Sequence, residues 1–221
     1  MEIKKIKKVL VANRGEIATR VLRACYDLGL NTVAIYSKED IYSEHRIKAD
    51  EAYMIGESLS PLGAYLAIEE IVDRANRKNV DAIHPGYGFL AENAEFAKAC
   101  EEAGIIFIGP NSKVLGQMGD KLSAKEMALR CKVPPIPGST EPLKDGKEAL
   151  AKAVEYGFPV ILKAASGGGG RGMRACFNES EVENAFELVR SEAKKAFGND
   201  DIFIEKFLVE QKHIEVQILG D

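Results

Sequence analysis

The stretch Val9–Tyr36, with the sequence VLVANRGEIATRVLRACYDLGLNTVAIY, predicts a strand, a helix and a second strand. Its first apolar run, Val9–Ala12, is followed by a helical pattern that ends at Gly29 and places on one face Ile17, Val21, Cys25 and Leu28. The next strand is predicted at Thr32–Tyr36. Two strands joined through a helix indicate a parallel sheet with a right-handed crossover.

The same alternation continues as far as Pro110, so residues 1–110 are predicted to form one α/β domain. Three more strands and two more helices are predicted, the strands at Glu51–Ile55, Asp81–His84 and Ile105–Ile108 and the helices at Ser60–Lys78 and Asn93–Ala103. A sheet built in this rhythm is parallel and carries helices on its faces. The sequence therefore predicts a Rossmann-like domain.

The pattern changes after Pro110. Residues 111–135 predict two helices and run into the proline-rich segment 134–138, so we interpret them as a helical linker. Residues 136–207 predict a small α+β lid domain, with helices at Asp145–Tyr156 and Glu179–Phe197 and strands at Pro159–Ala164, Met173–Phe177 and Asp201–Phe207.

Residues 208–221 contain one further predicted strand, 213–219. In it Ile214, Val216 and Ile218 alternate with polar residues, which predicts one buried and one polar face. Because a strand with one apolar face needs a covering element, we expect more protein to follow Asp221 and to complete the subdomain that begins at residue 208.

Composition and charge exclude several classes of protein. The chain is 46% hydrophobic and 29% charged with a formal net charge of −4, which gives no electrostatic reason to expect nucleic acid or an anionic membrane as a partner. No run of about 18 apolar residues predicts a transmembrane helix, and the first residues lack the features of a signal peptide. The four cysteines form no CxxC pair. We therefore expect a cytoplasmic protein with free thiols.

The strongest chemical signal is the glycine-rich run SGGGGRGM, Ser166–Met173. Four consecutive glycines let backbone N–H groups approach an anion closely, so the run predicts a phosphate-binding flap, with a flexible hairpin tip as the alternative. Just upstream, Lys163 lies inside an apolar strand and needs a partner, either a phosphate or solvent reached by snorkelling. The Walker A pattern GxxxxGK[ST] is absent, so a hairpin is predicted to hold the phosphates.

Four further positions are candidates of lower specificity. Lys121 begins a predicted helix and is a second candidate lysine for the site; the alternative is an ordinary exposed helix lysine. Glu205 and Lys206 are predicted on opposite faces of one strand, so that one of them faces a ligand unless both are surface charges. His213, at the start of the last predicted strand, is a candidate functional residue, and a structural role is the alternative. The segment 84–89 is a tight turn at the carboxyl end of a strand, where α/β sheets place their sites, with a rigid loop between strand and helix as the alternative. In the first turn, Val9–Gly15, only Gly15 of a GxGxxG fingerprint is present, which disfavours NAD binding.

Seven motifs occur in order along the chain: VANRGEIATRVLRAC (Val11–Cys25), HPGYGFLAEN (His84–Asn93), FIGP (Phe107–Pro110), MGDK (Met118–Lys121), KAASGGGGRGM (Lys163–Met173), FIEKF (Phe203–Phe207) and KHIEVQILGD (Lys212–Asp221). Together they resemble the biotin carboxylase module of the ATP-grasp superfamily over essentially the whole chain. The stretches His45–Tyr53 and Lys212–Asp221 are most similar to pyruvate carboxylases. Acetyl-CoA and propionyl-CoA carboxylase subunits are the alternatives.

The resemblance implies an ATP site made of ten residues: Lys121 and Lys163 on the phosphates, Gly168, Gly169 and Gly170 closing over them, Met173 near the adenine, Glu205, Lys206 and Leu208 at the base and ribose, and His213 beside the ribose and phosphates. It implies that ATP activates bicarbonate, which then carboxylates biotin. Magnesium would be bound by acidic residues outside this chain, and no catalytic residue is assigned within it.

The resemblance also implies partners: a biotin carrier domain, a carboxyltransferase domain or subunit, and a second copy of the chain. We expect the isolated chain not to carboxylate biotin. A non-catalytic nucleotide-binding or interaction module is the alternative function, and an NAD-linked oxidoreductase is disfavoured.

Overall fold

The computed structural model describes residues 5–119, 121–165 and 172–212, together with Ile214, Val216 and Ile218. The chain divides into two compact units, Met1–Ala124 and Lys125–Asp221. The finer boundaries at residues 110, 135 and 207 stay predictions. Among the described residues, no helix combines the length and the apolar character needed to cross a membrane.

The first unit contains a five-stranded sheet in which every neighbouring pair is parallel. Its strands are β1 (Lys8–Val11), β2 (Asn31–Tyr36), β3 (Glu51–Met54), β4 (Ala82–His84) and β5 (Ile106–Phe107), in the spatial order β3-β2-β1-β4-β5. The parallel, Rossmann-like sheet predicted from the sequence is confirmed. The strand order reverses at β1, which pairs with β2 on one side and β4 on the other.

Both faces of this sheet are buried. On one face, α1 (Gly15–Asp27) packs its buried residues against Val9 and Val11. On the other face, Leu10 and Ile83 lie in a larger core with four helices: α3 (Pro61–Tyr65), α4 (Ile68–Arg77), α5 (Ala94–Glu102) and α6 (Ser112–Gly119). The short helix α2 (Glu44–Lys48) instead contacts α1, β2 and β3. Each fully buried aliphatic side chain stabilises the fold by about 1.5–3 kcal/mol relative to exposure. The core also accounts for the continuous apolar character of the strands.

Two details of the first unit differ from the sequence predictions. The helix predicted at 60–78 is divided into α3 and α4, because Leu66 and Ala67 leave the helical conformation after the buried Tyr65. The hydroxyl of Tyr65 is anchored 2.7 Å from Asp40, a contact that the sequence pattern does not contain. Leu28, predicted on the buried face of α1, is 74% exposed because that helix ends one residue earlier.

The second unit is a small α+β structure, as predicted. Its sheet has the order β7-β6-β8 and is antiparallel throughout, with β6 (Val160–Ala164), β7 (Met173–Cys176) and β8 (Ile202–Lys206). Two helices accompany it, α8 (Gly146–Tyr156) and α9 (Glu179–Phe197), and a further helix, α7 (Lys121–Arg130), includes the boundary between the two units at residues 124 and 125. Helices α8 and α9 share one core with the sheet, centred on Phe186, Leu162 and Ile204.

The strand predicted at 213–219 lies partly outside the described residues. Its three described members, Ile214, Val216 and Ile218, are 77%, 77% and 79% exposed. The predicted burial of this apolar face is therefore not found at these three residues.

The four cysteines allow burial to be measured in solution, because buried and exposed thiols react at different rates. Cys25, Cys100 and Cys176 are buried, whereas Cys131 is exposed. Burial raises the pKa of all three buried thiols, that of Cys100 to about 12 with a smaller contribution from Glu101.

We expect one thiol of the native chain, that of the exposed Cys131, to react rapidly with a small disulfide reagent at pH 8, because only an accessible thiolate attacks the reagent.

The control for the thiol experiment is Cys131→Ser. This change is expected to remove the rapid phase and leave the three slow thiols unchanged. Two or more rapidly reacting thiols in the native chain would contradict the burial of Cys25, Cys100 and Cys176.

Candidate functional site

The first candidate site lies on the face of the antiparallel sheet that points away from its core. Along β6 and β8 the residues alternate, with Val160, Leu162, Ile202 and Ile204 fully buried. Lys163 and Glu205 occupy the opposite face. Their strands pair so that Lys163 lies opposite Phe203 and Glu205 opposite Ile161, which makes the two charged residues diagonal neighbours. The Nζ of Lys163 donates a hydrogen bond to Glu205 Oε2 at 2.6 Å.

A second lysine reaches the same carboxylate from α7. The Nζ of Lys125 lies 2.8 Å from Glu205 Oε1, so each oxygen of the carboxylate faces one ammonium group. The side chains are only 20% (Lys125), 33% (Lys163) and 18% (Glu205) exposed. Two lysines and one glutamate leave one positive charge in excess. This group of three residues, the lysine–glutamate cluster, is therefore suited to accept an anion.

Electrostatics within the cluster favour its charged form. Burial alone would raise the pKa of Glu205, but hydrogen bonds from Lys125 and Lys163 outweigh burial and hold that pKa below its ordinary value. The carboxylate therefore stays ionised at neutral pH and keeps both lysines in place. Sequence reasoning named Lys163 and Glu205 but missed Lys125, which reads as an ordinary lysine in a helix with no distinguishing pattern around it.

Glu205 is also fixed from its backbone side by the segment 137–139. Gly138 forms an antiparallel bridge with Glu205, and Ser139 N–H donates to the carbonyl of Ile204 at 2.8 Å. A Cβ at Gly138 would lie 2.7 Å from that same carbonyl oxygen and 2.7 Å from Glu205 Cγ. The proline-rich segment that the sequence indicated as a domain junction thus pairs with β8 and requires glycine at position 138.

Lys206 points to the other face, as the strand pattern predicted. Its Nζ donates to the carbonyls of Gly157 and Phe158, both at 2.8 Å, and its backbone N–H donates to Pro137. These bonds hold the connection between α8 and β6 in place. The side chain and the backbone N–H of Lys206 are consequently engaged by the protein itself, so a ligand role for this residue rests on its backbone carbonyl.

Of the remaining predicted ATP residues, the structure describes the side chains of Met173 and Leu208, and it pairs Met173 with a member of the cluster. Met173 begins β7 directly opposite Lys163 and is 40% exposed, and Leu208 follows β8 and is 41% exposed. Lys121 begins α7, and its side chain lies outside the described part of the chain. Gly168, Gly169, Gly170 and His213 also lie outside the described residues.

The second candidate site is the crevice where the strand order of the parallel sheet reverses. Asn13, two residues after β1, donates from Nδ2 to the carbonyls of Pro85 (2.7 Å) and Tyr87 (2.9 Å), beyond the end of β4. A cavity of about 300 Å³ lies here between residues 13–17 and 87–89. Ligands of open parallel sheets bind at this position. The segment 84–89 that the sequence singled out forms one wall.

Asp40 fixes the other wall through Arg14. Both guanidinium contacts, Nε to Oδ2 and Nη2 to Oδ1, measure 2.6 Å, and the carboxylate also accepts from Tyr65 at 2.7 Å and Ser43 at 2.8 Å. Hydrogen bonds from Arg14 overcome burial and hold the pKa of Asp40 far below its usual range. Sequence reasoning missed Asp40, because its three partners lie up to 26 residues away.

Comparison with protein families places these features in a known class. The family model for the biotin carboxylase N-terminal domain matches residues 5–115. The chain belongs to the biotin carboxylase family. A second model, for the ATP-binding domain of the carbamoyl-phosphate synthase L chain, matches residues 120–221. The two matches together cover both candidate sites of this biotin carboxylase chain.

Several curated relatives are pyruvate carboxylases. The chain is 56% identical to pyruvate carboxylase of Bacillus subtilis and 55% identical to mitochondrial pyruvate carboxylase of Homo sapiens, in each case over 100% of the chain but 19% of the relative. This biotin carboxylase chain thus spans about a fifth of the length of the curated relatives that it matches.

Solved biotin carboxylases share its fold. The biotin carboxylase domain dimer of Hydrogenobacter thermophilus 2-oxoglutarate carboxylase, in complex with MgADP, ADP and bicarbonate, is 55% identical with a TM-score of 0.81, over 93% of this chain and 45% of that one. Biotin carboxylase of Campylobacter jejuni, a β-γ-ATP complex, is 43% identical with a TM-score of 0.82, over 93% and 46%. The ATP-grasp assignment is thereby confirmed.

Proposed function

We propose that this chain supplies the ATP-phosphate-binding part of a biotin carboxylase, which uses ATP and bicarbonate to carboxylate biotin within a pyruvate carboxylase. The observation that carries the proposal is the lysine–glutamate cluster, with one excess positive charge on the face of a small antiparallel sheet that points away from its core. Relatives named pyruvate carboxylase, at 53–56% identity over essentially the whole chain, support that parent over acetyl-CoA and propionyl-CoA carboxylase subunits.

The chain's own residues act here by binding and orienting. Lys163 turns its ammonium from Glu205 to a phosphate oxygen and offsets the negative charge that spreads over the transferring phosphoryl group. Glu205 stays ionised and fixed by Gly138. The backbone of Lys206 and Leu208 meets the base and ribose, while the Lys206 side chain holds the strand in position. Transfer of the γ-phosphoryl group from ATP to bicarbonate would give ADP and carboxyphosphate. Carboxyphosphate would then release CO2 and phosphate, and biotin N1' would take up the CO2 with loss of its proton.

Magnesium does not fit the described residues. No group of three or more histidine, cysteine, aspartate or glutamate side chains within them is arranged to hold a metal ion. The carboxylate nearest to the proposed phosphates, Glu205, has one lysine on each oxygen and is a poor ligand for a hard cation. Magnesium ligands are therefore proposed outside this chain, and no step is derived through the metal.

The partners follow from the proposed parent enzyme. They are a biotin carrier domain and a carboxyltransferase domain, as in a pyruvate carboxylase, and a second biotin carboxylase domain, since one solved neighbour is a biotin carboxylase domain dimer. The cytoplasm stays the proposed compartment. A relative from Homo sapiens is named mitochondrial, so mitochondria are the alternative.

Lys163→Ala tests the proposed function. We expect the affinity of the 221-residue chain for ATP, measured by calorimetric titration, to fall at least about tenfold, because a charge-assisted hydrogen bond contributes about 1.5–3 kcal/mol. The matched control is Lys152→Ala, which removes an exposed lysine that is likewise paired with a glutamate at 2.8 Å.

Two outcomes would count against the proposal: unchanged ATP affinity in Lys163→Ala, or no binding of ATP by the unmodified chain up to millimolar concentrations.

The rate of ATP hydrolysis can be measured on the same preparations. Bicarbonate- and biotin-dependent ATP hydrolysis is expected to be absent in the isolated chain. A rate equal to that of an intact biotin carboxylase would contradict this expectation and favour a catalytic over a binding-only role.

A further inference from the structure

Lys125 is the member of the lysine–glutamate cluster to which no motif gives a role. Its ammonium lies 2.8 Å from Glu205 Oε1, and its side chain is as enclosed as that of Glu205, at 20% against 18% exposure. The described side chains of α7, at positions 123–130, are all half-buried or exposed, so none of them anchors the helix in a core. The position of Lys125 is therefore set by the carboxylate rather than by packing of its helix.

The two lysines contact different oxygens of one carboxylate. Lys163 lies on Oε2 at 2.6 Å and Lys125 on Oε1 at 2.8 Å. Without Lys125, Glu205 would have one counter-ion, and Lys163 would have to leave a poorly hydrated carboxylate unpaired in order to contact another anion. With Lys125 present, Glu205 remains paired when Lys163 moves. The second lysine thus lowers the cost of recruiting the first.

We propose that Lys125 is a positioning residue for nucleotide phosphate binding: it keeps Glu205 paired, so that Lys163 is released to a phosphate of ATP. This inference rests on the proposed function, because it requires Lys163 to contact a phosphate. Lys125 itself stays on the carboxylate and does not touch the nucleotide. Its effect is confined to ligands that carry phosphate, since adenosine does not require Lys163 to leave Glu205.

The test compares ATP with adenosine on the 221-residue chain. In Lys125→Met, ATP affinity is expected to fall about tenfold while adenosine affinity stays the same, and Lys125→Arg is expected to restore ATP binding to within about threefold. Because Glu205 is also predicted to lie near the base, the ratio of the two affinities is the quantity compared between variants. Circular dichroism confirms that each variant is folded.

A double-mutant cycle separates positioning from direct contact. In a Glu205→Gln background Lys163 has no carboxylate to leave, so adding Lys125→Met is expected to leave the ATP-to-adenosine ratio unchanged. A tenfold fall in both backgrounds would mean that Lys125 contacts the phosphate itself and would overturn the proposal. No effect of Lys125→Met in either background would overturn it as well.

Lys163→Ala in the same series distinguishes the inference from the proposed function. If Lys163→Ala weakens ATP binding and Lys125→Met does not, the positioning role is wrong and the phosphate site stands. If Lys163→Ala leaves ATP binding unchanged, the proposed function fails and the role of Lys125 fails with it.

Discussion

The free energy of unfolding of the first unit is expected to fall by about 3 kcal/mol when Asp40 is replaced by alanine. The Asp40 side chain is 6% exposed and accepts hydrogen bonds from Arg14, Tyr65 and Ser43. Its removal leaves the Tyr65 hydroxyl buried without its acceptor, which is the main cost. Arg14 is 49% exposed and regains water, so the loss stays near the lower end for a broken buried ion pair.

The free energy of unfolding that Asp40→Ala removes is expected to depend on pH. The pKa of Asp40 is depressed in the folded protein, chiefly by hydrogen bonds from Arg14 acting against burial, with smaller contributions from Tyr65 and Ser43. A group with a depressed pKa stabilises the fold above its unfolded pKa, about 3.9 for aspartate, and loses this contribution as the pH falls through its folded value. The difference between the unmodified chain and Asp40→Ala is therefore expected to be full at pH 7 and to shrink below about pH 4.

Hydrogen exchange is the suitable measurement, because a chain with two compact units need not unfold in one step. Amides of β1 and β2 report the first unit, and those of β6 and β8 serve as an internal control that Asp40→Ala leaves unchanged. Tyr65→Phe is the matched variant and is expected to cost about 1 kcal/mol, since it removes the hydroxyl and its hydrogen bond to Asp40. A loss below about 1 kcal/mol in Asp40→Ala would contradict the role given to this network.

The sequence was sufficient to predict that the first unit is a parallel sheet with helices on its faces. Continuous apolar runs such as Val9–Ala12, separated by residues with helical spacing, specify buried parallel strands, and the change of pattern after Pro110 indicated a separate α+β unit. The antiparallel strand order of that unit is known from the structure alone. The break between α3 and α4 was not predictable, because it accompanies the burial of Tyr65 and its hydrogen bond to Asp40, 25 residues away. Local pattern contains no information about such a contact.

In the candidate site, too, some residues could be predicted from the sequence and others could not. Lys163 was recognisable as a charge inside an apolar strand, and the opposite directions of Glu205 and Lys206 follow from strand geometry alone. Lys125 was not recognisable, because its partner lies 80 residues away and depends on where α7 lies beside the sheet. The side chain of Lys206 was likewise unpredictable, since its two acceptors are backbone carbonyls brought close only by the turn before β6.

Gly56→Ala is expected to destabilise the first unit by about 3 kcal/mol. Gly56 has φ +59°, and a Cβ at this position would lie 2.5 Å from both Cα and Cβ of Ala64 in α3. The left-handed conformation costs about 1 kcal/mol for alanine, and overpacking against backbone that cannot rotate away adds about 1–3 kcal/mol. The backbone N–H of Gly56 also donates to Glu70 at 2.9 Å, which restricts the relief available by shifting the loop.

Gly29→Ala is the matched control for the clash at Gly56. Gly29 has nearly the same conformation, φ +69°, but its added Cβ would meet no atom within 4 Å. It therefore carries the conformational cost alone, about 1 kcal/mol, as expected for a glycine that follows the end of a helix. Exchange of the β1 and β2 amides should separate the two variants by about 2 kcal/mol. Equal losses would mean that α3 yields to the new methyl group, and that the close approach of Gly56 to Ala64 is not what requires glycine at this position.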